Sequence, residues 1–180
     1  QKQHVELTRD IANRFNNRYG ETFKVPEPLI PKQGARIMSL SDPTKKMSKS
    51  DDSDKGCIYL LDKPEVARKK VMSAVTDSLG IIQYNPVEQP GVSNLLTIHS
   101  ALSGIPIPEL VKSFEGQGYG NLKKAVASEV EKLLTSLQSR YLELLNEDVL
   151  TKVLLSGKTN VTPIAHQTLI DVQTKVGIEI

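Results

Sequence analysis

The sequence is poor in the residues that build cross-linked or metal-stabilised proteins. It contains no tryptophan, one cysteine, Cys57, and three widely spaced histidines, His4, His99 and His166. One cysteine cannot form an internal disulfide, and histidines without cysteine partners offer no zinc-binding spacing. No stretch approaches the roughly 18 consecutive apolar residues that a membrane helix needs. These absences exclude a disulfide framework, a zinc module and a membrane protein, and they favour a cytoplasmic protein.

Net charge is also low, at +2, but its distribution is uneven. Before residue 50, ten lysines and arginines accompany only five acidic residues, and the remainder of the chain is slightly acidic. The chain as a whole is therefore no polycation, which argues against general coating of DNA. A local site for phosphate groups remains possible.

Hydrophobic periodicity predicts a mixed first portion and a helical remainder. Gln1–Tyr19 is predicted to be a helix that ends at Gly20, and 35–40 and 57–61 are predicted to be short strands. Asp62 is expected to cap the helix that follows. Two strands cannot make a complete parallel sheet, because such sheets need several strands covered on both faces. Together with the absence of an initiator methionine, this predicts that the chain is part of a longer protein.

Beyond Thr76 the pattern predicts helices only. Ser93 is expected to cap a helix that ends at Gly104, and apolar residues from Val126 to Leu144 follow a helical spacing. Two further helices are predicted at 149–155 and 163–176, separated by a loop that contains Gly157. We therefore expect two domains, at 1–76 and 77–180.

The segment Lys46-Met47-Ser48-Lys49-Ser50, called here the lysine loop, is the stretch best suited to chemistry. Its two lysines can follow a polyphosphate as negative charge moves onto a leaving pyrophosphate, and stabilising that charge in the transition state accelerates the step. Met47 supplies an apolar side with which the loop can dock. Lysines and serines in a loop are also common as solvated surface, and a five-residue match carries a real risk of coincidence.

The residues around the loop resemble a known family. KMSKS is a signature of the class I aminoacyl-tRNA synthetases, and the flanking segments are similar to those of the bacterial tryptophanyl-tRNA synthetases. The similar segments follow in order along the chain: QKQH at 1–4, TRDIA at 8–12, ARIMSL at 35–40, DPTKK at 42–46, AVTDS at 74–78, PGVSNLL at 90–96 and FEGQGYG at 114–120.

The resemblance implies the C-terminal part of an α/β Rossmann-like catalytic domain, followed by an all-α anticodon-binding domain. It implies a tryptophan–tRNA ligase that activates tryptophan with ATP and Mg2+, releases pyrophosphate, transfers tryptophan to tRNA(Trp) and acts as a homodimer. The family's HIGH motif has no counterpart in this sequence. We therefore expect the chain alone to be inactive.

The resemblance also assigns roles to residues. Lys46 and Lys49 would contact the ATP phosphates, with Met47, Ser48 and Ser50 completing the loop. The main chain of Ile37 would lie against adenine, and Gln1 would border the ribose and the amino-acid site. Ile37 is equally compatible with an ordinary core position. The loop acids Asp51, Asp52 and Asp54 are interpreted as solvating groups, because Mg2+ is expected to rely on phosphate oxygens and water.

Two alternatives stay open from the sequence. A tyrosine-specific ligase would share KMSKS, although not these flanks. A helical module that binds tRNA or protein without catalysis would carry the lysine loop by coincidence.

Overall fold

The computed structural model describes residues 2–30, 34, 36–50, 54–146 and 148–178. Within these ranges the chain is mostly helical. Its helices are α1 (Lys2–Tyr19), α2 (Pro64–Met72), α3 (Pro90–Ser103), α4 (Ile107–Ser113), α5 (Tyr119–Asn146) and α6 (Val149–Val176), with a short 3-10 helix at Asp54–Gly56. None of the described helices is long and apolar enough to cross a membrane.

The chain divides into two compact units. Unit 1 comprises Gln1–Ile30 and Leu144–Ile180, and unit 2 comprises Pro31–Glu143. The predicted division after residue 76 concerns functional domains, which compactness does not test, and it stays a prediction.

Unit 1 is held together mainly at the end of α1. Gly20 adopts a positive φ of 84° just after the helix, as predicted, and the Asn16 side chain bonds to the main chain of Thr22 and Phe23 beyond it. The ring of Phe15 packs on those of Tyr19 and Phe23, with centroids 4.8 and 4.9 Å away. Lys175 of α6 donates to the Glu21 carbonyl at 2.8 Å, so the end of α6 lies beside this turn.

Unit 2 contains the main hydrophobic core. Leu95 and Leu96 of α3 and Leu122 and Leu134 of α5 are almost completely buried. Gly91 allows the first turn of α3 to approach the preceding segment, because a Cβ there would lie 2.1 Å from the Val75 carbonyl oxygen. This close approach holds the first turn of α3 against the segment that follows α2.

The two predicted strands are wrong for the described residues. Residues 36–40 form only one isolated antiparallel bridge, between Met38 and Lys46, and no strand forms at 57–61. In the second segment the Tyr59 N–H bonds to the Asp62 carboxylate, and the Asp62 N–H bonds back to the Tyr59 carbonyl. The main chain therefore closes a turn, and within the described ranges no neighbouring strand is available to extend a sheet.

Three helix boundaries also differ from the prediction. The N-cap of α2 is Lys63 rather than Asp62, and α3 begins at Pro90 rather than at Ser93. Proline suits the first helical position, because its missing N–H would be unpaired there and its φ is already helical. The predicted helices at 149–155 and 163–176 are one continuous helix that includes Gly157 and Pro163. Because α6 is exposed to solvent around Pro163, water can bind the carbonyl that proline leaves unpaired.

Candidate functional site

A short hairpin at 37–47 holds the start of the lysine loop. The Ser39 N–H donates to the Lys45 carbonyl at 2.9 Å, and the Met47 N–H donates to the Ile37 carbonyl at 3.0 Å. Asp42 begins the turn, since its carboxylate accepts bonds from the Thr44 hydroxyl at 2.6 Å and from the Thr44 N–H at 3.2 Å. These bonds lower the pKa of Asp42, as does the neighbouring Lys45 ammonium. Asp-Pro at the first two turn positions favours this geometry.

The two lysines of the loop are held differently. Lys46 belongs to the hairpin bridge, so its main chain is fixed on both sides. Lys49 lies in a turn where the Ser48 and Ser50 hydroxyls are 2.9 Å apart and the Tyr59 hydroxyl reaches the Lys49 carbonyl at a long 3.4 Å. Both lysine side chains are exposed, and among the described residues neither ammonium has an acidic partner. The loop therefore presents two positive charges that no described carboxylate compensates.

The apolar side of the loop faces the core of unit 2. Ile37, Met47 and Ile58 are partly buried and pack on the hydrophobic cluster. They line a cavity of about 310 Å³ together with residues of α3 and α5 that include Ile98 and Leu134. Met47 thus docks on an apolar surface, as the sequence suggested.

Contacts with three other segments of unit 2 hold the hairpin in place. Asn94 of α3 bonds to the Met38 main chain, donating to its carbonyl at 2.8 Å and accepting from its N–H at 2.9 Å. Leu40, two residues after Met38, donates from its N–H to the Gly56 carbonyl at 3.0 Å. The Leu40 carbonyl accepts from the Val75 N–H at 2.8 Å. The hairpin is therefore tied to α3 and to the segments before and after α2.

Lys70 organises the segment that follows the loop. Its ammonium is buried and lies 2.8 Å from the Asp62 carboxylate, 2.9 Å from the Cys57 carbonyl and 3.5 Å from Asp54. It also lies 4.7 Å from the centre of the Tyr59 ring. Burial alone would lower the pKa of Lys70, but bonding to Asp62 and the negative charges of Asp62 and Asp54 outweigh burial and raise that pKa.

The structure brings most of the predicted site residues together. Ile37, Lys46 and Met47 share the hairpin, and Ser48, Lys49 and Ser50 continue from it. Gln1 and the acids Asp51 and Asp52 lie outside the described residues. Asp54, interpreted as a solvating group, pairs with Lys70 instead. No group of three or more histidine, cysteine, aspartate or glutamate residues in the described ranges is placed to hold a metal ion.

Sequence reasoning missed the residues that support the loop. Asn94, Tyr59 and Lys70 contact the hairpin, the lysine loop or the segment between loop and α2. The only sequence signal for Asn94 was a polar residue between the apolar Val92 and the pair Leu95 and Leu96. For Lys70, a lysine on the buried face of a short helix gave the same kind of signal.

A larger cavity lies elsewhere in unit 2. Its volume is about 590 Å³, and it is lined by the Gly80–Gln83 segment, by α4 and by the glycine-containing turn at 114–118. None of the predicted ATP-binding residues that the structure describes lines it. The lysine loop therefore remains the candidate site, because it joins charge, exposure and a fixed backbone.

Comparison with known proteins identifies relatives along the whole chain. The chain is 50% identical over 178 residues to "Tryptophan--tRNA ligase" of Listeria innocua and 51% identical over 178 residues to the protein of the same name from Caldanaerobacter subterraneus. Each match covers 99% of this chain and 54% of the relative. The chain thus spans about half the length of the curated relatives it matches.

Solved structures agree with this relationship. The tryptophanyl-tRNA synthetase of Mycoplasma pneumoniae matches 99% of this chain with a TM-score of 0.90 at 37% identity, and the match covers 54% of that protein. The Campylobacter jejuni tryptophanyl-tRNA synthetase crystallised with ADP and tryptophan matches 98% of this chain and 54% of that protein, with a TM-score of 0.62 at 29% identity.

A family model spans most of the chain. The model for class I tRNA synthetases (W and Y) matches residues 1–135, which include both sides of the hairpin and the whole lysine loop. On this evidence the chain belongs to the class I tRNA synthetases of the tryptophan and tyrosine group.

Proposed function

We propose that this chain carries the pyrophosphate-handling loop of a tryptophan–tRNA ligase. In the proposed reaction, the tryptophan carboxylate attacks the α-phosphorus of ATP, the bond to the β-phosphate oxygen breaks, and pyrophosphate leaves. The activated tryptophan then passes to a terminal ribose hydroxyl of tRNA(Trp). The observation that carries the proposal is a pair of exposed ammonium groups that no carboxylate in the described ranges compensates, beside a fixed hairpin in a chain about half identical to tryptophan–tRNA ligases.

Lys46 and Lys49 have the catalytic role in this proposal. Negative charge grows on the departing pyrophosphate oxygens, so ammonium groups placed beside them stabilise the transition state more than bound ATP. Met47, Ser48 and Ser50 shape the loop and supply hydroxyl donors. Mg2+ arrives bound to ATP and keeps phosphate oxygens and water as its ligands.

Ile37 has the role of an adenine-contacting residue. Its carbonyl already accepts from the Met47 N–H at 3.0 Å, and among the described residues its own N–H has no partner. We therefore assign that N–H to an acceptor nitrogen of adenine. Gln1 is proposed to border the ribose, the helical region at 77–180 to contact tRNA(Trp), and the complete protein to act as a homodimer, which sedimentation would test.

The first prediction concerns the two lysines in the complete gene product. Lys46→Ala and Lys49→Ala should each slow tryptophan-dependent ATP–pyrophosphate exchange by about 100-fold, with tryptophan binding little changed. Lys45→Ala is the matched control, because Lys45 is adjacent and exposed but pairs with Asp42 at 3.2 Å. Its exchange rate should stay within about twofold of the unsubstituted protein. Unchanged rates in both loop variants would refute the assigned role.

The same assay separates the alternative functions. Exchange that depends on tyrosine rather than tryptophan would identify a tyrosine-specific ligase. Absence of exchange with either amino acid, together with tRNA binding that survives Lys46→Ala and Lys49→Ala, would identify a non-catalytic module. Binding should be measured across a salt series, because phosphate contacts make RNA affinity depend on salt.

A further inference from the structure

We infer that Asn94 is a positioning residue that sets the location of Lys46, but not of Lys49, during adenylate formation. The inference rests on the proposed function of the lysine loop. Asn94 touches neither lysine side chain in the contacts that the structure records, so any effect on catalysis must pass through the main chain.

The geometry is a two-point clamp from a helix onto a hairpin. One Asn94 side chain satisfies both main-chain groups of Met38, at 2.8 and 2.9 Å, across 56 positions of sequence. Asn94 itself is only 5% exposed and belongs to α3, which contributes Leu95 and Leu96 to the core. A primary amide matches the spacing of a peptide N–H and C=O, so the clamp fixes both the position and the tilt of this peptide segment.

The clamp acts at the hairpin position opposite Lys46. Met38 is the bridge partner of Lys46, and the two bonds that flank the bridge join Ser39 to Lys45 and Met47 to Ile37. Displacing Met38 therefore displaces Lys46 and Ile37 together. Lys49 lies beyond the last hairpin bond, in a turn closed by the Ser48 and Ser50 hydroxyls.

Removing the clamp leaves two polar groups of a half-buried residue without a protein partner. In Asn94→Ala the Met38 N–H and C=O lose both of these partners, and water in the adjacent cavity of about 200 Å³ would have to replace them. Loss of both contacts lets the hairpin shift or open, and catalytic groups displaced by about 1 Å can lose about 100-fold in rate. Asn94→Asp provides a milder variant, because its carboxylate still accepts from the Met38 N–H but cannot donate to the carbonyl.

The structural part of the inference is tested by hydrogen exchange on the complete gene product. The Met38, Ser39 and Met47 amides should exchange at least about tenfold faster in Asn94→Ala, while the amides of α5 remain as protected as before. Ser103→Ala is the control, because Ser103 lies on the same helix, is half-buried and donates to the His99 carbonyl at 2.8 Å within that helix. Unchanged protection of the Met38 amide would overturn the clamp. If Asn94→Ala fails to fold, Asn94→Asp serves for the same measurement.

The functional part is tested by double-variant kinetics in the complete gene product. Asn94→Ala should lower kcat for pyrophosphate exchange at least about tenfold, with KM for tryptophan unchanged. Adding Asn94→Ala to Lys46→Ala should cause little further loss of kcat, because the clamp acts on the chemical step through Lys46. Displacement of Ile37 should appear instead as a raised KM for ATP. Adding Asn94→Ala to Lys49→Ala should lower kcat by nearly the same factor as Asn94→Ala does alone. If Asn94→Ala lowers kcat by the same factor in both lysine variants, the assignment to Lys46 is wrong. The assignment is also wrong if Asn94→Ala lowers kcat no more than Ser103→Ala does.

These results distinguish failure of the inference from failure of the proposed function. If Lys46→Ala and Lys49→Ala leave exchange unchanged, the function assigned to the loop fails whatever Asn94 does. If those variants slow exchange but Asn94→Ala does not, the function stands and the positioning role is wrong.

Discussion

At the scale of single residues, Lys70 differs from the two lysines of the loop because its ammonium has acidic partners. The Lys70 ammonium is buried and surrounded by the Asp62 carboxylate, the Cys57 carbonyl and Asp54, whereas Lys46 and Lys49 are exposed without an acidic partner in the described ranges. Removing one partner of a buried pair of this kind is destabilising, because it leaves an uncompensated charge away from water. An exposed and unpaired cation is instead free to bind an anion.

Asp62→Asn should therefore lower the free energy of unfolding by about 3 kcal/mol. Glu143→Gln is the matched control, because the Arg140–Glu143 pair has the same 2.8 Å separation as the Lys70–Asp62 pair but is exposed to solvent. The control should change stability by less than about 1 kcal/mol. Urea unfolding of the three proteins measures both values, and equal effects would contradict the importance of burial.

The raised pKa of Lys70 adds a pH dependence to this stability. Since the folded-state pKa lies above the unfolded value of about 10.4, the contribution of the charged lysine is complete below that pH. It declines as the pH rises through the folded-state pKa. The stability difference between the unsubstituted protein and Asp62→Asn should accordingly be constant near neutrality and shrink above about pH 10.

At the scale of elements, the contact between α3 and the segment before it is the tightest backbone approach near the hairpin. A Cβ at Gly91 would lie 2.1 Å from the Val75 carbonyl oxygen, and the Val75 N–H holds the Leu40 carbonyl at 2.8 Å. A shift of α3 would therefore move both the Asn94 clamp and the Leu40 bond.

Gly91→Ala should destabilise unit 2 by about 1–3 kcal/mol, because main-chain atoms must move to admit the methyl group. In an exposed helix the same substitution would raise the free energy of unfolding by about 0.5–1 kcal/mol. The sign of the change at Gly91 therefore distinguishes a close backbone approach from an open helix position. Gly118→Ala provides the control, since a Cβ there meets nothing within 4 Å. Thermal unfolding followed by circular dichroism would compare them, and a stabilised Gly91→Ala variant would contradict the close approach.

The elements also show how far the sequence could predict this fold. Apolar spacing identified α1, α3 and α5, because each has a face that the sequence repeats at the helical period. The prediction of helix starts failed where a residue that commonly caps a helix has another role in the folded chain. Asp62 was expected to cap α2 but pairs with Lys70, and Ser93 was expected to begin a helix that Pro90 already begins. The sequence also split α6 at Gly157 and Pro163, although a long helix in solvent can include both.

The same distinction between local signals and tertiary contacts applies to the candidate site. The lysine loop could be proposed as a site from the sequence, because the chemistry needs particular side chains in an unbroken segment, and its role stays a prediction. Asn94 could not be proposed, because its role depends on a contact with Met38 that only the folded chain creates.

At the scale of the whole molecule, burial is concentrated in unit 2. Helices α5 and α6 are both 28 residues long, but α5 supplies Leu122, Val126 and Leu134 to the core and α6 has no buried residue. Helical stability in proteins comes mostly from packing of an apolar face, so equal length does not imply equal stability.

Hydrogen exchange of the 180-residue chain should reveal this difference. The central amides of α6 should be protected at least about 100-fold less than those of α5, because α6 can open without exposing core residues. Leu134→Ala should reduce protection in α5 and leave α6 unchanged. Equal protection of the two helices would contradict a stability hierarchy based on burial.

The hairpin also makes the chain a convenient object for spectroscopy. Two of the three methionines lie in this hairpin, Met38 opposite Lys46 and Met47 on the apolar cavity, and the third, Met72, ends α2. Isotope labelling of methionine methyl groups would give three resonances. The Met38 resonance would report on the hairpin segment that Asn94 holds, the Met47 resonance on the docked lysine loop, and the Met72 resonance would serve as an internal reference. Nucleotide addition could then be followed at the loop itself, without attaching any external probe.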